Sequence, residues 1–225
     1  MKKSILVVVA HSDDESIGMA GTIRKHINSG DEVNIISMTD GVGSRNDSNK
    51  EAILARQSSA KKASEILGFR WGKSYSFEDN KLDSYPLIEI IKTIELSKDK
   101  YKPQIVYTHS GADLNIDHRV VLNAVLTAFR PQPNESCKEI RLFEVASATD
   151  YGNPSVTGKF MPNLFISIED TLEYKIKTLE AYNLEMRSYP HSRSINAIKN
   201  LAKIRGNQVG YEYAEAFEVI RKLED

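Results

Sequence analysis

The chain has 225 residues, of which 30 are lysine or arginine and 31 aspartate or glutamate, for a net charge of −1. That near-cancellation excludes the basic footprint of a nucleic-acid or anionic-membrane binder and leaves a small molecule as the expected partner. One cysteine, Cys137, cannot form an internal disulfide, and the apolar run Ile5 to Ala10 is too short for a signal-peptide core or a membrane span, so a cytoplasmic protein without a span is expected.

Taken in chain order, Ile5 to Ala10 is a continuous run rich in β-branched residues, the pattern of a strand buried on both faces of a parallel sheet. Within Glu15 to Asn28, the apolar residues Ile17, Met19, Ala20, Ile23 and Ile27 fall at helical spacing, and Gly30 supplies a stop. Val33 to Met38 reads as a second buried strand, ending at Thr39-Asp40-Gly41. A helix from Glu51 to Leu67 follows, then an irregular stretch from Trp71 to Asp79, a helix opened by Pro86 and running to Ser97, and a strand from Gln104 to Tyr107. After Asp117 a helix runs to Phe129, strands cover Arg141 to Ala146 and Leu164 to Ile168, and the tail is mostly helix. Strands alternating with helices imply right-handed crossovers. The fold class is therefore α/β, a doubly wound, mostly parallel sheet with helices on both faces and a helical C-terminal cap. No repeat or low-complexity segment marks a boundary, so residues 1–225 read as one domain.

Ligands of such sheets bind outside the carboxyl ends of the strands. Three polar clusters fall there: Ala10-His11-Ser12-Asp13-Asp14-Glu15, Thr39 to Arg45, and His109 to His118. His11, Asp14 and His118 make a two-histidine, one-carboxylate metal set that leaves a position open for water. Imidazole with carboxylate suits zinc, and also iron, cobalt or nickel. The competing reading has Ser12 capping the helix while Asp13, Asp14 and Glu15 complement its dipole. It explains the acids but not histidines at two strand ends.

At these residues the chain resembles the N-acetylglucosaminyl deacetylase family known as LmbE-like or PIG-L-like proteins. The family's first motif reads Ala-His-Pro-Asp-Asp-Glu, with Ser12 here in place of the proline. The similarity continues through Thr39-Asp40-Gly41, Asp113-x-Asn115-x-Asp117-His118, and a tail of Arg205-Gly206 followed by Tyr213-Ala214-Glu215-Ala216-Phe217. The resemblance implies a Rossmann-like fold, one zinc ion on His11, Asp14 and His118, a general base at Asp13, an N-acetylated amino sugar as substrate, and a homo-oligomer, a frequent state among family members.

Amide hydrolysis needs an activated water, a polarised carbonyl and a proton for the leaving amine. Asp13, beside a ligand, is placed to take the water's proton and pass it on; a hydrogen bond to His11 is its competing reading. Asp117 is expected to orient an imidazole, and His109 to be a satisfied polar residue, a spare ligand or a substrate contact. Asn115 stands where many relatives carry a histidine that helps hold the oxyanion, and it is itself a substrate-binding candidate. His191, in Tyr189-Pro190-His191-Ser192-Arg193-Ser194, is expected to supply that imidazole instead. Arg56 is a candidate for holding sugar hydroxyls or a phosphate, against a buried ion pair with Asp13 or Asp40. Asp40 and Arg45 are further substrate candidates, and Trp71 and Tyr75 either stack on a sugar or belong to the core. The rivals are a nucleotide-binding module, which calls for a glycine-rich phosphate loop, and a catalytically inactive carbohydrate-binding relative.

Overall fold

The computed structural model of the chain describes residues 2–39, 41–43 and 50–224. β1 (Ser4–Val9) is buried on both faces from Ile5 onward, as its uninterrupted apolar run requires. It leads into α1 (Asp14–Asn28), β2 (Glu32–Ser37), α2 (Lys50–Leu67) and the two-residue β3 (Arg70–Trp71). α3 (Leu87–Tyr101), β4 (Ile105–His109), α4 (Ile116–Ala128) and β5 (Glu139–Phe143) continue the alternation. The last third holds the one-turn α5 (Pro154–Thr157), β6 (Leu164–Ser167), α6 (Leu172–Ala181), α7 (Ile195–Asn207) and β7 (Ala214–Lys222).

Among the described residues, seven strands form one sheet in the order β3-β2-β1-β4-β5-β7-β6. β1, β2, β3, β4 and β5 run parallel, and β7 is antiparallel to both β5 and β6. Successive residues of β1 point to opposite faces. Ile5, Val7 and Val9 meet α1, α6 and α7, while Leu6, Val8 and Ala10 meet α3 and α4, so helices cover both faces. The strand order reverses direction between β1 and β4, and the carboxyl ends of those two strands bound the crevice where doubly wound sheets bind ligands.

The tail departs from the sequence expectation. α6 and α7 form the helical cap, but the last stretch, Ala214 to Lys222, is a strand inserted between β5 and β6. Ala214, Glu215 and Ala216 are good helix formers by propensity, and pairing with strands on both sides overrides that preference. β3, only two residues long, pairs Arg70 and Trp71 with β2 at the start of the stretch read as irregular.

Glu215 explains why the strand belongs there. α1 breaks its helical geometry at Met19 (φ −148°, ψ 23°), which disturbs the regular hydrogen-bond ladder. The Glu215 carboxylate accepts the backbone N–H of Gly21 at 3.1 Å and of Thr22 at 2.7 Å, while Lys175 donates to the Ile17 carbonyl at 2.7 Å and pairs with Glu215 at 2.7 Å. Both side chains are buried. Removing one partner strands the other charge in a dry environment. Glu215→Ala is therefore expected to lower stability by about 3–5 kcal/mol, seen as a shift in urea midpoint, with Lys175→Met causing a loss on the same scale.

Candidate metal centre and its surroundings

The turn after β1 builds the first half of the site. The backbone N–H groups of Asp13 and Asp14 donate back to the His11 carbonyl at 3.1 and 3.3 Å, and the Asp14 carboxylate curls round to accept the His11 N–H at 2.9 Å. Asp13, not Ser12, is the N-cap of α1, and its side chain makes no cap bond. The carboxylate is thus left for partners outside the helix. On the other side, Asn115 caps α4 by accepting the Asp117 N–H at 2.8 Å, which starts the helix where His118 turns inward.

Three donor atoms converge. Asp14 Oδ2 lies 3.3 Å from His11 Nδ1 and 3.4 Å from His118 Nε2, and the two imidazole nitrogens are 3.2 Å apart. Ligand atoms bonded at about 2.0–2.1 Å round a tetrahedral zinc stand about 3.3 Å from one another, so this donor set has the spacing a divalent ion needs. Each imidazole is backed by carboxylate on its other nitrogen. His118 Nδ1 meets Asp113 Oδ2 at 2.8 Å, and His11 Nε2 meets Asp79 Oδ1 at 3.0 Å and Asp117 Oδ2 at 3.2 Å. Such partners hold the tautomer and ring orientation of a metal-binding histidine. Asp117 is itself fixed by the backbone N–H groups of Asn80 at 2.7 Å and Leu82 at 3.0 Å. Asp117 therefore orients the imidazole of His11 and not that of its sequence neighbour His118.

The cluster is electrostatically a cation site. Burial pulls His11 and His118 toward neutrality, but Asp14 and the backing carboxylates outweigh it, holding His11 well above the usual imidazole range and His118 up at about 9. Burial would raise Asp14, yet the charges of His118 and His11 keep it well below the usual carboxylate range. A field that retains protons also attracts a metal ion, and metal binding must displace those protons.

His109 ends β4 wholly buried, stacked on His118 with ring centroids 3.9 Å apart. Its Nε2 accepts the Ala10 N–H at 2.9 Å, which ties the ends of β4 and β1 together and occupies the nitrogen nearest Asp14. Burial and the charge of His118 hold it neutral, well below the usual range.

Asp13 sits between two arginines. Arg56 Nη2 contacts Oδ1 at 2.8 Å, and Arg193 Nη1 reaches Oδ2 at 3.4 Å. Arg56 is buried, also meeting Glu185 at 2.6 Å and the Ser12 hydroxyl at 3.2 Å. Of the two readings of Arg56, the geometry has the ion pair with Asp13. Serine at position 12 gives this arginine an acceptor that proline lacks. Gly41 (φ +71°) lies against the guanidinium, where an added Cβ would come within 3.2 Å of Nη2. A cleft of about 750 Å³ opens beside Ser12 and Arg56, with Trp71 and Tyr75 in its wall. The Trp71 indole donates to the Ala60 carbonyl at 2.8 Å, and the Tyr75 hydroxyl to the Thr93 carbonyl at 3.1 Å.

Asn115 caps α4 by accepting the Asp117 N–H and donates its amide to Asn80 at 3.4 Å. His191 Nδ1 accepts the backbone N–H of Arg193 at 3.0 Å, which leaves the ring proton of a neutral imidazole on Nε2. Asp40 and Arg45 lie outside the described residues. Asp79, Asp113, Glu185 and Arg193 had no assigned role from sequence. Asp113 and Arg193 lie inside motifs noted there, whereas Asp79 and Glu185 carry no local signal.

The family described as PIG-L, GlcNAc-PI de-N-acetylase, matches residues 6–129, more than half of the chain. Diacetylchitobiose deacetylase of Thermococcus kodakarensis is 26% identical over 231 residues, covering 97% of this chain and 83% of that protein. Among solved structures, N,N'-diacetylchitobiose deacetylase from Pyrococcus horikoshii superposes with a TM-score of 0.78 at 23% identity, covering 97% of this chain and 84% of its own. GalB, the 4-carboxy-2-hydroxymuconate hydratase of Pseudomonas putida, shares the fold with a TM-score of 0.74 at 19% identity, covering 100% and 99% of the two chains. With a family match that spans both strand-end motifs and the crevice between them, the chain belongs to the PIG-L family.

Proposed function

We propose that the protein is a zinc-dependent hydrolase that removes the acetyl group from an N-acetylated amino sugar. The carrying observation is the triangle of His11 Nδ1, Asp14 Oδ2 and His118 Nε2, with mutual distances of 3.2–3.4 Å, together with the adjoining Asp13 carboxylate, which Arg56 and Arg193 hold. A divalent ion held by these three residues supplies Lewis acidity toward an acyl oxygen and lowers the pKa of a water.

The chain's own residues do the rest. Asp13 accepts a proton from the attacking water, whose oxygen bonds to the acetyl carbon. As the C–N bond breaks, the same carboxyl returns that proton to the departing nitrogen, releasing acetate and a free amine. His191, with its proton on Nε2, is proposed as the donor to the oxygen that gains charge; one such donor contributes about 3–4 kcal/mol to the barrier. Arg56 holds Asp13 and Glu185 in place from behind.

The turn after β1 and the start of α1 carry the carboxylates of Asp13 and Asp14 and no glycine, which disfavours a nucleotide-binding module, since carboxylates repel phosphate. The test is mass spectrometry of the zinc-loaded protein incubated with free N-acetylglucosamine derivatives, nucleotide-activated and lipid-linked N-acetyl sugars. Loss of one acetyl group from at least one is the expected result. Because a hydratase shares the fold, the panel includes 4-carboxy-2-hydroxymuconate. Water addition to it, with no acetyl loss from any sugar, would overturn the proposal.

A further inference from the structure

Asp13 is gripped unequally, and the inequality distinguishes its two oxygens. Oδ1 makes the short contact, 2.8 Å, to the buried Arg56, whose other nitrogens meet Glu185 and Ser12. Oδ2 makes a longer one, 3.4 Å, to Arg193, whose side chain is 23% exposed. Arg193 is anchored in turn: its Nε donates to the Ser147 hydroxyl at 2.9 Å. Ser147 adopts a left-handed backbone conformation (φ 67°), uncommon for a residue with a side chain, in the loop that follows β5. Strain of this kind persists only where surrounding contacts hold it. The segment carrying Arg193 is pinned as well, by hydrogen bonds from the Arg187 N–H to the Arg193 carbonyl at 3.3 Å, from the Arg193 N–H to His191 at 3.0 Å, and from the Ala197 N–H to the Ser194 hydroxyl at 3.1 Å.

We propose that Arg193 is a positioning residue for the base: braced on Ser147, it sets the rotation of the Asp13 carboxylate so that Oδ2, the less tightly held oxygen, faces the water and takes its proton. Arg56 fixes where the carboxylate is. Arg193 fixes which way it points. A group misplaced by about 1 Å costs on the order of a hundredfold in rate, so losing this brace acts on kcat and not on substrate affinity. The inference rests on the deacetylase reading above, in which Asp13 is the base.

The test uses the zinc-loaded full chain with whichever N-acetylated sugar it turns over. Arg193→Ala is expected to lower kcat by on the order of 10- to 100-fold with KM nearly unchanged, while metal content and melting temperature stay at wild-type values. Arg193→Lys keeps an intermediate rate, Ser147→Ala loses less, and added guanidinium ion restores part of the kcat of Arg193→Ala. An unchanged kcat, a loss confined to KM, or a fall in melting temperature without rescue by guanidinium each overturns the assignment. Crystal structures of wild type and Arg193→Ala give a readout independent of turnover: the Asp13 carboxylate should rotate in the variant. The same orientation in both sinks the inference even if the protein is a deacetylase; rotation in a protein that turns over no acetylated sugar keeps the contact and removes the deacetylase reading instead.

Discussion

Replacing any one of His11, Asp14 or His118 with alanine is expected to take the purified protein from about one divalent ion per chain to nearly none, with loss of turnover. Two donors cannot hold a closed triangle, and each of the three atoms lies 3.2–3.4 Å from both others, so none is redundant. Elemental analysis reads the outcome directly. Full metal content in His118→Ala would remove His118 from the site and move attention to His109, the imidazole stacked on it. Variants one layer further out should behave differently. Asp113→Asn and Asp117→Asn keep the three donors but lose the carboxylate behind an imidazole, and are expected to weaken metal affinity by about 10- to 100-fold. Because Asp117 also receives the N–H groups of Asn80 and Leu82, its replacement should loosen the 79–82 segment as well.

Asp13→Asn is expected to keep the metal and lose turnover by about 10²- to 10⁴-fold, the range attributed to a positioned general base, because an amide cannot accept the water's proton. The structure adds a complication. Asparagine also removes a charge from Arg56, whose remaining carboxylate is then Glu185, and breaking a buried pair costs about 3–5 kcal/mol. A rate loss alone would therefore not separate chemistry from damage. Glu185→Gln is the control, because it takes the other carboxylate from the same arginine and leaves Asp13 in place. Both variants should lose comparable stability by urea denaturation, and only Asp13→Asn should lose the proton acceptor. Equal rate losses in the two would assign Asp13 to holding Arg56, and near wild-type turnover in Asp13→Asn would end its role as the base.

The convergence of His11, Asp14 and His118 was legible in the sequence because it rests on local patterns. The run Ile5 to Ala10 reads as a strand covered on both faces, and its end delivers His11 and Asp14 to the crevice three residues apart. His118 follows in the same way from the strand Ile105–His109 and the helix that begins at Ile116. Periodicity and spacing encode such placements, since a strand of known direction leaves little freedom to the turn that follows it.

The partners of those residues belong to the tertiary structure. Asp117 adjoins His118 in the chain but serves His11, while Asp113, five residues before His118, is the acid that backs it. Asp13 is held by arginines 43 and 180 positions away, and Arg56 is committed to Glu185, which no motif marks. The tail shows the same division: Ala214 to Phe217 has the composition of a helix, yet it is a strand because β5 and β6 flank it and because Glu215 must reach the broken turn of α1. Isolated polar side chains have no periodic signature. Which of them meet is decided by where distant loops converge, and that is a property of the packed sheet and not of any segment within it.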